Sequence, residues 1–114
     1  MINYREIHGW FAEVFYVEND DDRYAATVYR TPQYPDPEAA QDHLRENVCL
    51  ILGAIFDEDK DDVAAWYAEG DEDVCRKVDM LKSWIESGFI EENPLDPSYD
   101  GRIRPSITYE SKHE

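Results

Sequence analysis

The chain has 114 residues, of which 27 are Asp or Glu and 11 are Lys or Arg, so its formal net charge at pH 7 is −16. Such a charge repels phosphate backbones and anionic membranes, which argues against direct binding to nucleic acid or to a lipid surface. Hydrophobic residues make up 42% and aromatic residues 13% of the chain, too much apolar material for a disordered acidic tail. We therefore expect residues 1–114 to form a single acidic globular domain.

The sequence also indicates a compartment. The longest uninterrupted apolar run is the nine residues 48–56, far short of the roughly 18 to 20 residues that span a bilayer. The first residues lack the basic and apolar blocks of a signal peptide, so we expect a cytoplasmic protein. Cys49 and Cys75 have no zinc-binding or redox spacing and fall on apolar helix faces, which predicts buried free thiols.

Two strands are predicted near the N-terminus. Residues 10–17 and 24–30 are rich in aromatic and β-branched side chains, and the polar segment 18–23 links them. This pattern predicts an antiparallel hairpin with a long acidic loop. Prolines in the segment 31–35 then end the second strand.

Three helices follow. Asp36 and Pro37 have the residue types of an N-cap and a first helical position, and apolar residues at helical spacing continue to Phe56. A short helix around 63–69 has Asp61 or Asp62 as its cap. A third helix begins at Asp71 or Asp73 and ends at Gly88, a residue suited to a left-handed C-terminal position.

The C-terminal part is less regular. Asp100 and Gly101 suggest a turn, and Ile103, Ile107 and Tyr109 indicate a last strand whose Pro105 suits a sheet edge. The predicted fold class is α+β, with an N-terminal antiparallel β-hairpin, three helices on one face of a small sheet, and a C-terminal edge strand.

Acidic residues are concentrated in the segment 57–73. Nine acids stand there against Lys60 alone, which gives −8, half of the net charge of the chain. Capping and the helix dipole explain one or two acids at a helix N-terminus, but not four or five. The candidate partner-binding acids of this segment are Asp57, Glu58, Asp59, Asp61, Asp62, Glu69, Asp71, Glu72 and Asp73.

A surface of this kind suits a basic partner. Large basic surfaces on proteins commonly bind the phosphate backbone, and a rigid array of carboxylates can occupy such a surface in place of nucleic acid. Trp66 and Tyr67 lie among the acids and are candidate anchors. The hairpin loop supplies a second candidate patch, formed by Glu18, Asp20, Asp21 and Asp22.

The sequence contains two incomplete matches to a calcium-binding loop. Asp57, Asp59 and Asp61 match the first positions of a calcium loop, but Asp62 replaces its glycine and Ala68 its bidentate acid. A second match beginning at Asp96 has Ile107 at its last position. We therefore predict no metal site and no cofactor; weak, superficial Ca²⁺ or Mg²⁺ binding by the acidic clusters is the alternative.

Enzymatic motifs are equally weak. The three histidines, His8, His43 and His113, are far apart, and no glycine-rich phosphate loop or nucleophile motif occurs. His43 is expected on the first helix, where a partly exposed histidine is a more frequent finding than a general base. The expected protein is therefore not an enzyme.

Size, charge and missing catalytic motifs together indicate a functional class. The chain resembles the small acidic inhibitors, such as the phage-encoded anti-restriction and anti-CRISPR proteins that mimic DNA. This likeness implies a cytoplasmic inhibitor that binds a basic nucleic-acid-binding protein, namely a defence nuclease or its surveillance complex. The likeness assigns no role to any individual residue.

Two other functions fit the same charge. One is an immunity protein that neutralises a basic nuclease toxin. The other is a host adaptor or interaction domain whose acidity serves solubility or salt adaptation. The sequence identifies neither the partner nor the oligomeric state.

Overall fold

A computed structural model describes residues 2–17, 24–89 and 91–113. Its elements, in chain order, are β1 (Ile2–Val17), β2 (Tyr24–Arg30), α1 (Pro37–Glu46), α2 (Val48–Phe56), α3 (Lys60–Ala68), α4 (Glu72–Glu86) and β3 (Tyr99–His113). In this part of the chain no helix has both the length and the apolar character needed to cross a membrane.

The strands form one antiparallel sheet in the order β2-β1-β3. The predicted hairpin, the C-terminal edge strand and the α+β class are confirmed. β1 pairs with β3 along its whole length, from Ile2 opposite His113 to Tyr16 opposite Tyr99. β2 pairs with β1 only from Glu13 to Val17, so the other end of the sheet has two strands.

β1 is longer than predicted, because it begins at Ile2 rather than at Trp10. Alternation of apolar and polar residues covers only residues 2–5 and is then lost, so the strand conformation of residues 2–9 is supported by pairing with β3, a partner about a hundred residues away. We call this two-stranded part of the sheet, residues 2–9 and 105–113, the arm. The molecule is correspondingly elongated, with extents of 59 × 35 × 23 Å and a radius of gyration of 16.5 Å, against about 13 Å for a compact domain of this length.

The hydrophobic core lies between the helices and one face of the sheet. Ala12 and Val14 of β1 pack in it with side chains from the helices, and all of them are buried. Burial of apolar surface supplies the main stabilisation, about 25 cal/mol for each Å² removed from water. The largest fully buried apolar side chains of the helices are Leu44, Ile51, Val78, Leu81 and Ile85.

The prediction of three helices was wrong, because the helix expected from Pro37 to Phe56 is divided at Asn47 into α1 and α2. Asn47 has a φ of −123° and a ψ of 30°, outside the helical region. Its side-chain amide donates a hydrogen bond of 2.7 Å to the His43 carbonyl, a local contact that competes with regular helix geometry. The apolar spacing continues from Leu44 to Val48 across the break, so periodicity could not reveal it.

The helix starts are set by aspartates. Asp36 caps α1 as predicted, and of the two candidates for α4 it is Asp71, not Asp73, that is the cap; their side chains accept from the backbone N–H of Ala39 and Val74. α3 begins earlier than expected, because Asp59, and not Asp61 or Asp62, is its N-cap. The structure therefore places Asp61 and Asp62 inside the first turn of α3.

The predicted Asp100–Gly101 turn was wrong, because both residues lie in β3. The chain turns earlier, where the Asp96 carboxylate accepts from the Ser98 N–H and the Asp96 carbonyl accepts from the Tyr99 N–H. Gly101 is required for packing instead, since a Cβ there would lie 2.5 Å from the Phe89 ring. That ring lies against Trp84, with centroids 4.4 Å apart, and connects the end of the helical layer to the sheet.

Candidate functional site

The structure brings the acids of the segment 57–73 together around α3. All nine belong to exposed residues, whereas Val63 on the same helix is buried against the core. They occupy three places: the turn after α2, the first turn of α3, and the connection from α3 into α4. We call these nine exposed acids the acidic rim; they lie on α3 and on the adjoining ends of α2 and α4, which the core holds in place.

Local backbone geometry fixes the turn after α2. Asp57 ends that helix in the left-handed region, with a φ of 56°, a conformation that Asp tolerates better than most residues. The Glu58 N–H donates to the Gly53 carbonyl at 2.8 Å. A Cβ on Gly53 would lie 2.5 Å from the Glu58 carbonyl oxygen, so glycine at position 53 allows the turn to fold back against α2.

A cleft of about 410 Å³ opens between α2, α3 and α4. Its apolar lining comes from all three helices, and three acids of the segment 57–73 lie at its edge: Glu58, Asp71 and Asp73. An apolar surface surrounded by carboxylates suits the aliphatic stem and cationic head of a lysine or arginine side chain. The apolar and aromatic lining residues are Leu52, Phe56, Val63, Trp66 and Val74.

One cation of the protein already lies in this cleft. The Lys77 Nζ lies 2.9 Å from an Asp73 carboxylate oxygen and 4.5 Å from the centre of the Phe56 ring. Hydrogen bonds from Lys77 and Arg76 lower the pKa of the Asp73 carboxyl below its ordinary value. Glu58 and Asp71 make no ion pair within the described part of the chain, so they provide the unneutralised charge of the rim.

The two predicted anchors, Trp66 and Tyr67, lie on different sides of α3. Trp66 lines the cleft with the acidic rim, whereas Tyr67 lines a second cleft of about 350 Å³ toward the α1–α2 junction. The Lys82 Nζ lies 5.8 Å from the centre of the Tyr67 ring. Both aromatic side chains are more than one-third exposed. Because they line different clefts, a partner side chain that enters one cleft contacts only one of the two anchors.

The second predicted patch, Glu18, Asp20, Asp21 and Asp22, falls outside the described residues. The candidate site therefore consists of the acids around α3 and the two clefts beside that helix.

A cluster of arginines that the sequence patterns did not predict lies on the sheet face opposite the helices. Arg30 and Arg104 donate to the two carboxylate oxygens of Glu13 at 3.0 and 2.8 Å. Both guanidinium groups also lie about 5 Å from the centre of the Phe11 ring, and Arg102 has a similar contact with Phe15. The alternation of Arg102 and Arg104 in β3 was the available signal, since residues two apart share a sheet face.

The acids around α3 and this arginine cluster lie on different layers of the fold. The helices carry the acids on one side of the sheet, while Arg30, Arg102 and Arg104 lie on the other. Among the described residues, the acids around α3 and these arginines therefore lie on opposite sides of the sheet, an uneven distribution of charge of the kind that orients a charged partner before contact.

A second unpredicted cluster surrounds His43. The Tyr29 hydroxyl lies 2.6 Å from its Nε2 and the Tyr34 hydroxyl 2.5 Å from its Nδ1. Burial, together with the neighbouring Tyr34, raises the pKa of the Tyr29 hydroxyl. These contacts join α1 to the sheet and occupy both ring nitrogens of His43, which gives the histidine a structural role.

Within residues 2–17, 24–89 and 91–113, no group of three or more His, Cys, Asp or Glu side chains is arranged to hold a metal ion. Cys49 and Cys75 are free thiols and half-buried.

Comparison with protein-family models, with curated proteins and with solved structures finds no match to this chain.

Proposed function

We propose that this protein is a non-enzymatic inhibitor that binds the basic nucleic-acid-binding surface of a defence nuclease or its surveillance complex, in the manner of anti-restriction and anti-CRISPR proteins. The observation that carries the proposal is the acidic rim around α3, which borders an apolar cleft between α2, α3 and α4. The proposal places the protein in the cytoplasm, where such nucleases act.

Electrostatics favours a macromolecular basic partner over a small ligand. Nine exposed carboxylates in 17 residues repel one another, and a partner surface of Lys and Arg removes that repulsion on binding. The same surface on a nuclease is built to neutralise phosphates, so binding of the inhibitor and of DNA is mutually exclusive. Binding should weaken at least about tenfold between 50 and 500 mM salt for a contact of several ion pairs.

The experiment compares two variants with the same net charge. The first neutralises the rim while keeping both helix caps, because Asn accepts the capping hydrogen bond as Asp does; its changes are Asp59→Asn, Asp62→Asn, Asp71→Asn and Glu72→Gln. The control removes four exposed charges away from α3, with Glu6→Gln, Glu38→Gln, Glu91→Gln and Glu92→Gln.

Each protein is expressed in bacteria that carry an active restriction or CRISPR system, and the plating efficiency of a targeted phage is measured across a panel of systems. We expect the native chain and the control to raise plating at least about tenfold in one system, and the rim variant to lose the effect. The proposal fails if no system in the panel is inhibited, or if both variants lose activity alike.

The cleft favours one further candidate, an immunity protein with a single nuclease toxin as its partner. A mimic of the phosphate backbone needs charge alone, whereas the apolar cleft beside Trp66 offers a specific anchor for one cationic side chain of a dedicated partner. A Trp66→Ala variant separates the two: it should abolish protection against a toxin, but weaken a charge-driven mimic by less than the rim variant does.

A further inference from the structure

In the part of the chain that the structure describes, the arm has two strands, and it exposes large apolar residues on one of its faces. Tyr4, Ile107 and Tyr109 are 69%, 52% and 65% exposed. Their registered partners are Ser111, His8 and Glu6, so each of three successive rows of the arm has one large apolar residue. Because directly opposed residues of an antiparallel pair share a face, all three lie on the face that carries Ala12 and Val14 farther along β1.

This face is the continuation of the core-facing surface beyond the helices. Ala12 and Val14 are covered by the helical layer, but the rows from His8 outward extend past it. An isolated two-stranded ribbon is marginally stable in water, and such ribbons gain stability when their apolar face is covered. The structure therefore leaves a surface that favours a partner.

Charge determines which partner can approach. The arm contains two cations, Arg5 and Lys112, and two acids, Glu6 and Glu110, so its formal charge is zero. The net charge of −16 belongs to the rest of the chain. We call the part of the molecule outside the arm the body. The acidic bodies of two copies repel each other, whereas the neutral arms can come into contact.

We propose that the arm is a self-association surface, on which a second copy packs its own arm face to face and antiparallel about a twofold axis. This arrangement buries Tyr4, Ile107 and Tyr109 of both copies and places the two acidic bodies at opposite ends of the dimer. The same patch on both copies makes the contact closed, so it forms dimers and not fibres.

The available area sets the expected affinity. A large aromatic side chain contributes about 150 Å², so the two tyrosines, Ile107 and their row partners offer on the order of 600 Å² for each copy. The total of about 1,200 Å² lies at the lower limit of specific interfaces. We therefore expect a dimer that dissociates in the micromolar range.

Sedimentation equilibrium of the full chain between 1 and 200 μM tests the proposal, at 20 and at 500 mM NaCl. We expect a monomer–dimer equilibrium whose Kd falls at least about threefold at the higher salt, because screening reduces repulsion between the bodies. Binding to a basic partner weakens with salt instead, so failure of this proposal and failure of the proposed function are separately visible. A monomer at 200 μM in 500 mM NaCl would overturn the inference.

Two double variants identify the surface. Ile107→Thr with Tyr109→Ser keeps strand-compatible residues and removes the apolar face, and it should remain monomeric at 200 μM. The control, Arg5→Lys with Thr108→Ser, alters exposed residues on the other face of the arm without changing its charge and should dimerise like the native chain. A dimer that is unaffected by the first variant, or equally weakened by both, contradicts the arm interface.

A further measurement does not depend on folding of the variants. Dilution of the native protein from 200 to 5 μM in 500 mM NaCl should shift the NMR resonances of Tyr4, Ile107 and Tyr109 more than those of the core. Shifts concentrated on the helices would assign the contact to another surface, and the absence of any shift would show that no association occurs.

Discussion

Glu13 is the residue at which burial and charge compete most directly. It is 4% exposed, and burial alone would raise the pKa of its carboxyl. Hydrogen bonds from Thr27 and Arg30, with the positive charges of Arg30 and Arg104, outweigh burial and lower that pKa below its ordinary value of 4.5. Ionised Glu13 therefore stabilises the fold above pH 4.5, and the contribution is lost as the pH falls through the folded-state pKa.

We predict that Glu13→Gln lowers the free energy of unfolding at pH 7 by about 2 kcal/mol, the scale of hydrogen bonds to a charged group. Urea unfolding at pH 7 and at successively lower pH checks this. The difference from the native protein should shrink below pH 4.5. Glu6→Gln, an exposed change on the same strand, should have little effect at any pH. A difference that is constant with pH would show that shape, and not ionisation, matters at position 13.

At the scale of elements, the acids at the helix starts combine two effects that the sequence alone cannot separate. Asp71 caps α4 through a hydrogen bond of 3.0 Å from the Val74 N–H, and its charge also belongs to the rim of the cleft. The first effect concerns the free energy of unfolding, and the second concerns partner binding. Two substitutions at this position distinguish them.

Asp71→Ala should lower the free energy of unfolding by about 1 kcal/mol, because the capping hydrogen bond is lost. Asp71→Asn keeps the cap and removes the charge, so its stability should stay near that of the native protein. Chemical denaturation measures both. If Asn destabilises as much as Ala, the negative charge at the helix N-terminus, and not the hydrogen bond, provides the stabilisation.

At the scale of the whole molecule, net charge opposes compactness. The chain carries −16, and eight of these charges lie in residues 57–73, where the helices hold them close together. The Debye length falls from about 30 Å at 0.01 M salt to about 3 Å at 1 M. Salt therefore screens repulsion that acts within the folded state.

We predict that raising NaCl from 20 to 500 mM increases the melting temperature of the native protein by about 5 °C, equivalent to about 1 kcal/mol for a domain of this size. Thermal unfolding followed by circular dichroism gives the shift at 5 μM protein. The variant with four neutralised rim residues should show a smaller shift than the variant with four neutralised residues elsewhere. Equal shifts would indicate that the charge acts globally, as in salt adaptation.

The sequence by itself determined the α+β class, the β1–β2 hairpin, the edge position of β3, and the aspartate cap of α1; for α4 it narrowed the cap to Asp71 or Asp73. Each depends on local signals: strand-forming runs, a proline in an edge strand, and a side chain that accepts from a nearby N–H. Tertiary structure decided what distant residues do together. It extended β1 along β3 into the arm, divided the predicted first helix at Asn47, assembled the cleft from three helices, and gathered arginines from β2 and β3 over Glu13. These features depend on which segments meet in space, which neither periodicity nor composition records.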